Sequence, residues 1–131
     1  MAKFSIKKVS NSAKIPEIED GVFVLNSDMV SNTAVQPGGV LEVKTGISVV
    51  IPARHIGLVT LSSEFMGPAT SLVLAEGIKF LRAGETNGIS VRVVNTGTTT
   101  RVVRNHEAVA ELVIVPITEF GAFKKEEDED A

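Results

Sequence analysis

The sequence predicts an all-β fold, a distorted β-barrel or jelly roll, and three observations lead to this class. Val and Ile, which branch at Cβ and favour extended backbone, account for 19 and 10 of the 131 residues. Turn-forming pairs such as Asn87-Gly88 and Gly67-Pro68 separate short apolar runs, and such turn signals recur at intervals of roughly ten residues in sandwiches and barrels. No segment keeps a helical apolar period over three turns.

Eight strands are predicted, each a run rich in Val, Ile, Leu or Thr between turn residues. In chain order they are Val22–Leu25, Val40–Thr45, Ile47–Ile51, Ile56–Leu61, Ser71–Ala75, Ile89–Asn95, Thr99–Val103 and Val109–Val115. Residues 10–20 are polar and predict a loop. Phe65–Leu74 has room only for a short helical turn, because Gly67 and Pro68 interrupt it.

The net charge of the chain is confined to its C-terminal end. Residues 1–123 hold 11 basic and 11 acidic side chains, so the net charge of −3 comes from residues 124–131, which hold two Lys and five acids. A like-charged terminus is typical of a solvated tail. The sequence therefore predicts one barrel domain over residues 1–123, with an N-terminal arm over residues 1–20 and an acidic tail over residues 124–131.

Composition excludes several classes of partner. A body without net charge, Trp or Tyr is poorly suited to bind nucleic acid through its phosphates or stacked bases. The chain has no apolar run of about 18 residues, the length that spans a membrane. Its N-terminus also lacks the apolar core of a secretory signal. We expect no nucleic acid, no membrane and no export by a signal peptide.

The residue types that carry common enzyme chemistry are scarce. Without Cys, and with His55 and His106 as the two His residues, neither a thiolate site nor a three-His zinc site can form. His106-Glu107 could be a base with an orienting carboxylate, but its polar surroundings between two strands favour an exposed turn. The residues alone predict no catalytic site, no metal site and no cofactor.

Four segments resemble the motifs of dUTPases, in the same order and at nearly the same spacing. They are Pro37–Pro52, Gly57–Ser63, Ser90–Gly97 and Ala108–Ile117, within a resemblance that covers about residues 36–120. The resemblance implies a dUTPase-like β-barrel, of the distorted barrel or jelly-roll type, that assembles as a homotrimer.

The positions that the family uses for catalysis differ in this chain. The resemblance places Ser62 at the phosphate-binding Arg, Lys79 at the Asp that orients the attacking water, and Arg82 near the Tyr that closes on the sugar. Ala108 and Glu111 stand where the family has Arg and Gln. Because a protonated Lys cannot accept the proton of water, these differences predict a protein that is not an enzyme. Should a nucleotide still bind, Ser62, Ser63 and Arg82 are the candidate ligand-binding residues.

The resulting hypothesis is a non-catalytic pseudoenzyme, a trimeric barrel that decorates or cements a viral capsid. Its expected place is the virion or the cytoplasm of the host cell. The expected assembly contacts are Lys3, Phe4, Lys7, Lys8, Phe120 and Phe123. Two alternatives stay open. One is an atypical dUTPase or other nucleotide hydrolase that uses His106, Glu107 or Glu111, and the other is a regulatory module that binds a nucleotide without chemistry.

Overall fold

The computed structural model describes residues 4–66, 72–84, 86–118, 124 and 126, without the side chain of Asn87. Three of the predicted assembly contacts, Lys3, Phe120 and Phe123, lie outside the described residues, as does most of the acidic tail. The division into a barrel over residues 1–123 and a tail over residues 124–131 therefore stays a prediction.

The described chain is built almost entirely from strands, which are numbered here in chain order. They are β1 Ser5–Lys8, β2 Glu17–Glu19, β3 Val22–Asn26, β4 Thr33–Val35, β5 Val40–Val50, β6 His55–Leu61, β7 Leu72–Leu74, β8 Lys79–Arg82, β9 Thr86–Asn95, β10 Arg101–Val103 and β11 Ala108–Pro116. One short helix, α1 Ser63–Met66, follows β6. The all-β prediction is confirmed.

Two main sheets enclose the core. One has four strands in the order β1-β5-β9-β7, the other has five in the order β2-β3-β11-β6-β8, and β4 pairs with β10. An isolated parallel bridge between Ile51 and Ala83 joins the chain just after β5 to the chain just after β8. This bridge links the two sheets at one end, so the architecture is the distorted barrel that the sequence predicts.

Alternation along the long strands builds one apolar core. Inward-facing side chains of both sheets are buried, and the most completely buried include Val43, Val91, Val93, Leu25, Val59 and Leu112. Fully burying a Val or Leu side chain is worth about 1.5–3 kcal/mol. The shared core therefore holds the two sheets face to face and fixes which side chains of β5 and β9 point outward.

A bulge interrupts the pairing of β5 with β9. Lys44 lies opposite Ser90 and Ser48 lies opposite Gly88, so three residues of β5 span one residue of β9. Gly46, inside the bulge, has a φ of +67°, and a Cβ there would lie 2.6 Å from the Asp28 carboxylate. The carbonyl oxygen of Lys44 accepts the Asp28 N–H at 2.8 Å. The bulge thus brings the chain after β3 against β5.

The N-terminal arm differs from its prediction. Within residues 10–20, which were expected to form a loop, Glu17–Glu19 pairs with β3. Earlier in the arm, Ser5–Lys8 pairs with β5, and the Phe4 ring packs on Phe23 with centroids 5.0 Å apart. Lys7 and Lys8 are exposed, whereas Phe4 is half-buried. Phe4 therefore packs within its own chain, and the assembly-contact roles of Phe4, Lys7 and Lys8 stay predictions.

Two other predictions were wrong in detail. The predicted strands Val40–Thr45 and Ile47–Ile51 are one strand, because the bulge at Gly46 bends β5 without ending it. The predicted turn at Asn87-Gly88 lies inside β9, where Gly88 pairs with Ser48. In both places the pairing between strands prevails over the local preference of glycine for turns.

Candidate functional site

Charged side chains line the outer face of the four-stranded sheet. Strand β5 carries Glu42 and Lys44 on this face, and β9 carries Arg92 and Ser90 directly opposite them. The residues between them, such as Val43, point into the core. Because directly opposed side chains in an antiparallel pair lie about 5 Å apart, this register brings four polar groups from distant parts of the sequence together.

The connection between β7 and β8 adds two more charges. The Ala75 N–H donates to the Arg92 carbonyl at 2.8 Å, which places the connection along the edge of β9. Lys79 then donates from Nζ to the Ser90 carbonyl oxygen at 2.8 Å. Together with Glu76, these groups surround a cavity of about 190 Å³. We call it the charged pocket, and its lining is Glu42, Glu76, Lys79, Ser90 and Arg92.

A larger cavity of about 370 Å³ adjoins the charged pocket and shares Ser90 with it. We call it the glycine pocket, because the backbones of Gly46 and Gly88 form part of its wall. The buried residues Ile47 and Ile89 lie at its base. The remaining lining residues are Val9, Ser10, Asp28 and Lys44. The two pockets meet at Ser90, and we call them together the groove.

One rim of the glycine pocket is a segment that we call the N-terminal strap, residues 9–13. The Ser12 hydroxyl donates to the Asp28 carboxylate at 2.6 Å, and the Val9 N–H donates to the Gly46 carbonyl at 2.8 Å. Nε2 of His106 donates to the Ser12 carbonyl oxygen at 2.7 Å. Hydrogen bonds from Ser12 and then Ser10 lower the pKa of Asp28, and the charges of His106 and Lys8 add to this effect.

The predicted ligand-binding residues do not meet within one chain. Ser62 lies just after β6, where it is buried and its N–H donates to the Val109 carbonyl. Ser63 begins α1 and is exposed. Arg82 lies on β8, opposite Ile56 at the other end of β6. Because a strand rises about 3.3 Å per residue, Ser62 and Arg82 are roughly 20 Å apart. One chain therefore cannot use all three on one small ligand.

His106 and Glu107 have structural partners. Glu107 pairs with Arg101 at 2.7 Å and accepts the Arg104 N–H at 3.0 Å. His106 has a φ of +61°, in the left-handed region, and its ring binds the N-terminal strap. These contacts agree with the interpretation of this segment as a turn between strands, and they occupy both groups that a base with an orienting carboxylate would use.

The residues that line the groove were not predicted from the sequence, although a sequence pattern marks some of them. The triplets Glu42-Val43-Lys44 and Ser90-Val91-Arg92 each place a buried Val between two polar side chains. This alternation is typical of a strand with one face in the core and one in water. It marks the outward polar residues of each strand, but only the pairing register reveals that they face one another.

No family model matches the chain, but individual known proteins are similar to it in sequence and in fold. A curated protein from Alkaliphilus metalliredigens (strain QYMF), named deoxyuridine 5'-triphosphate nucleotidohydrolase, is 28% identical over 124 residues, which covers 89% of this chain and 81% of the relative. A protein of the same name from Desulfitobacterium hafniense (strain DSM 10664 / DCB-2) is 23% identical over 93 residues, covering 71% and 62%.

Solved structures agree on the fold. The dUTPase from phage phi11 of Staphylococcus aureus superposes with a TM-score of 0.80 and 20% identity, covering 98% of this chain and 99% of the other. The dUTPase of Staphylococcus bacteriophage 80alpha gives 0.80 and 22%, covering 97% and 98%. The chain has the dUTPase-like fold. The fold expected from the four resembling segments is confirmed.

The dUTPase comparison overturns two predictions. The chain was expected to be a non-catalytic capsid protein and not an enzyme, but its curated relatives are named as a nucleotidohydrolase. The pseudoenzyme and capsid-partner predictions are corrected with it. Motif positions taken one at a time, such as Lys79 at the position of the Asp, do not show that Glu42, Glu76 and Arg92, from other segments, line the same cavity as that Lys.

The part of the chain that the structure describes offers neither a metal-ligand cluster nor a membrane-spanning helix. No group of three or more His, Asp or Glu side chains there is arranged to hold a metal ion. No helix among those residues is long and apolar enough to cross a membrane.

Proposed function

We propose that the protein is a dUTPase-type nucleotide hydrolase, which converts a deoxynucleoside triphosphate and water into the monophosphate and pyrophosphate. The observation that carries this proposal is the charged pocket, where Lys79 and Arg92 lie beside Glu42 and Glu76. The printed name of the curated relatives, deoxyuridine 5'-triphosphate nucleotidohydrolase, supports the same reaction class.

The two cations of the pocket suit phosphate oxygens. Arg92 offers the planar guanidinium that pairs with two oxygens at once, and Lys79 offers a compact charge. Lys79 is directed by its bond to the Ser90 carbonyl, at 2.8 Å, so its ammonium is held beside β9. In the reaction these groups neutralise the negative charge that accumulates on the leaving pyrophosphate.

The two carboxylates of the pocket suit the attacking water. A carboxylate accepts a hydrogen bond from water, aligns its oxygen with the α-phosphorus, and takes its proton as the new P–O bond forms. The bond from the α-phosphorus to the bridging oxygen breaks, and pyrophosphate carries away that electron pair. Glu42, which accepts a bond from the Ser90 hydroxyl at 3.2 Å, and Glu76 are the pocket residues able to fill this role.

The first test is turnover by the purified full chain. Incubation with each of dUTP, dCTP, dTTP, dATP and dGTP in the presence of Mg²⁺ should release pyrophosphate from at least one of them. A coupled phosphate assay measures the release, and chromatography should show the matching monophosphate. Absence of turnover with all five nucleotides would contradict the proposal.

A second test removes the carboxylates. Loss of a general base lowers the rate about 10²–10⁴-fold, so either Glu42→Gln or Glu76→Gln should lower kcat by at least the lower bound with little change in KM. The matched control is Glu64→Gln, an exposed carboxylate on α1, away from the pocket lining. Unchanged kcat in both pocket variants would remove these residues from the reaction.

One observation favours a second candidate, a regulatory module that binds a nucleotide without hydrolysing it. Lys79 stands where the resemblance places an Asp, so the carboxylate for water must come from another segment. In this case a nucleotide would raise the melting temperature, since ligand binding stabilises the native state. Stabilisation without turnover would favour this candidate over the hydrolase.

We also propose that the protein acts as a homotrimer, as the dUTPase resemblance implies. An apolar patch on the outer face of the five-stranded sheet supports this assembly, because Leu58 pairs there with both Val113 and Phe80. Phe80 is 56% exposed there, opposite Leu58. Light scattering should give three times the 13.9 kDa mass of the chain, and a monomer at micromolar concentration would contradict the proposal.

A further inference from the structure

We infer that Asp20 is a site of spontaneous isoaspartate formation, a rearrangement of its side chain with the Gly21 amide that needs no enzyme. Water is the only co-reactant. The site lies in the hairpin of β2 and β3, away from the groove and independent of the proposed hydrolysis. A chemically related pair, Asn87-Gly88, is expected to be protected, because it lies within a paired strand.

Asp20 and Gly21 form the tight turn between β2 and β3. Glu19 pairs with Val22, so these two residues are the whole connection. Both have positive φ angles, +52° at Asp20 and +80° at Gly21, as in the type I′ turn of a two-residue hairpin. Asp and Gly suit this turn because both tolerate the left-handed region. The hairpin therefore presents an Asp-Gly pair at its tip.

The reaction of this pair is a cyclisation. The Gly21 nitrogen attacks Cγ of the protonated Asp20 carboxyl group, and the amide proton and the carboxyl hydroxyl leave together as water. The product is a succinimide ring. Water then adds to the main-chain carbonyl of the ring, and the bond from that carbonyl to nitrogen breaks. The resulting isoaspartate has the mass of the original residue, and its main chain runs through Cβ and Cγ, one methylene group longer.

The surroundings of the turn leave room for this reaction. Asp20 and Gly21 are both exposed, so water reaches the ring. A Cβ built at Gly21 would meet no atom within 4 Å, and glycine has no Cβ to hinder the approach of its own nitrogen. The hydrogen bond of a two-residue turn joins the flanking residues, here Glu19 and Val22. The turn itself therefore does not engage the Gly21 N–H.

The hairpin can also open locally. Ring closure requires rotation about the bond between Cα and the carbonyl carbon of Asp20, and the closed turn resists this rotation. Strand β2 is three residues long, fully exposed, and at the edge of its sheet beside β3. Short exposed segments of this kind open at a small cost in free energy. We therefore expect the turn to reach the reactive conformation frequently.

Asn87-Gly88 provides a comparison within the same chain. An Asn-Gly pair cyclises by the same route, losing ammonia in place of water, and in unstructured peptides it reacts faster than Asp-Gly. Here Asn87 lies opposite Val49 and Gly88 opposite Ser48, where β5 and β9, of 11 and 10 residues, pair with each other. Ring closure requires these central strands to separate, which costs more than opening a hairpin tip. The fold therefore protects the pair that the sequence alone marks as more reactive.

The first experiment compares the two positions in one molecule. Asp20→Asn gives the turn the same Asn-Gly pair that β9 carries, and type I′ turns favour this pair, so the fold should be kept. Circular dichroism checks it. The variant is aged in neutral buffer, and peptide mapping by mass spectrometry measures deamidation. We expect position 20 to react at least tenfold faster than Asn87 in the folded chain, and at a similar rate in urea, where the following glycine controls both.

The second experiment tests Asp20 in the wild-type chain, aged in mildly acidic buffer because the protonated carboxyl group reacts. Isoaspartate should accumulate there, detected by fragmentation that distinguishes the two isomers. The matched control is Asp28, which is followed by Met29, is half-buried and accepts the Ser12 hydroxyl at 2.6 Å; it should stay unchanged. The longer main chain should release β2, so amide hydrogens of residues 17–19 should exchange faster in the isomerised fraction.

Each result decides the inference. Faster reaction at position 20 than at Asn87 in the folded variant, together with isoaspartate at Asp20 in the wild type, supports it. Equal or slower reaction at position 20 in the folded variant would overturn it. So would a wild-type Asp20 that stays unmodified while the chain unfolded in urea forms isoaspartate at that residue. Unchanged exchange at residues 17–19 would contradict the expected release of β2.

Discussion

The outer faces of the two main sheets differ in the side chains that their central strands present. On the four-stranded sheet, the outward positions of β5 and β9 hold Glu42, Lys44 and Arg92. On the five-stranded sheet, the outward positions of β6 and β11 hold apolar side chains such as Leu58 and Val113, which pair with each other. Both faces lie over one core, so burial alone does not explain the difference. We interpret the charged face as a ligand surface and the apolar face as a protein surface.

The largest effect is expected from a charge on the apolar face. Phe80→Asp should convert the trimer into monomers, because an unpaired carboxylate buried in an apolar interface costs several kcal/mol. Light scattering measures the mass. The control is Val102→Asp, since Val102 is also an exposed apolar residue, 40% accessible, but lies on β10. A trimer that persists in Phe80→Asp would show that this face is not the interface.

Salt is expected to have a smaller effect, which differs between ligand binding and association of the chains. The Debye length falls from about 10 Å at 0.1 M salt to about 3 Å at 1 M, so binding of a non-hydrolysable dUTP analogue to the charged pocket should weaken by tenfold or more. Association through the apolar face should persist, because its driving force is not screened. Calorimetry and light scattering over one salt series measure both. If salt weakened ligand binding and association of the chains equally, the interpretation of one face as a ligand surface and the other as a protein surface would be contradicted.

The smallest effect concerns the rim of the groove. The lowered pKa of Asp28 means that its contribution to stability is present above the unfolded-state pKa and is lost as pH falls through the lower folded-state pKa. Because Ser12 and Asp28 lie near the surface, Ser12→Ala should lower the free energy of unfolding by no more than about 1 kcal/mol at neutral pH. Thermal melts between pH 7 and pH 2 should show this difference disappear in acid. A difference that is independent of pH would exclude Asp28 as its origin.

The sequence predicted the long central strands and missed the short outer ones for a physical reason. Strands β9 and β11 contain runs of Val and Ile, which favour extended backbone whatever their partners. In contrast, β1 and β2 are short and mostly polar or charged. They are strands because β5 and β3 provide hydrogen-bonding edges, and such edges cannot be read from local sequence.

The site was harder to predict than the fold. Glu42, Glu76 and Arg92 are far apart in the sequence and meet only through the register of β5 with β9 and the connection beside it. Motif positions identified Lys79 and Arg82, but these two lie at opposite ends of β8. Ser62, which the resemblance places at the phosphate-binding Arg, is buried, and its N–H donates a hydrogen bond to β11. Position-by-position resemblance therefore located the region without showing which neighbours complete it.

The two glycines of the groove differ in how they would tolerate change. At Gly46, a Cβ would lie 2.6 Å from both Ala13 and Asp28, and the φ of +67° is unfavourable for other residues. At Gly88, a Cβ would enter open space. One wall of the glycine pocket is consequently fixed by the fold, and the other is open to redesign. A library of substitutions at position 88 would vary the lining of the glycine pocket while the barrel stays intact, and position 46 is the place where such a library would fail.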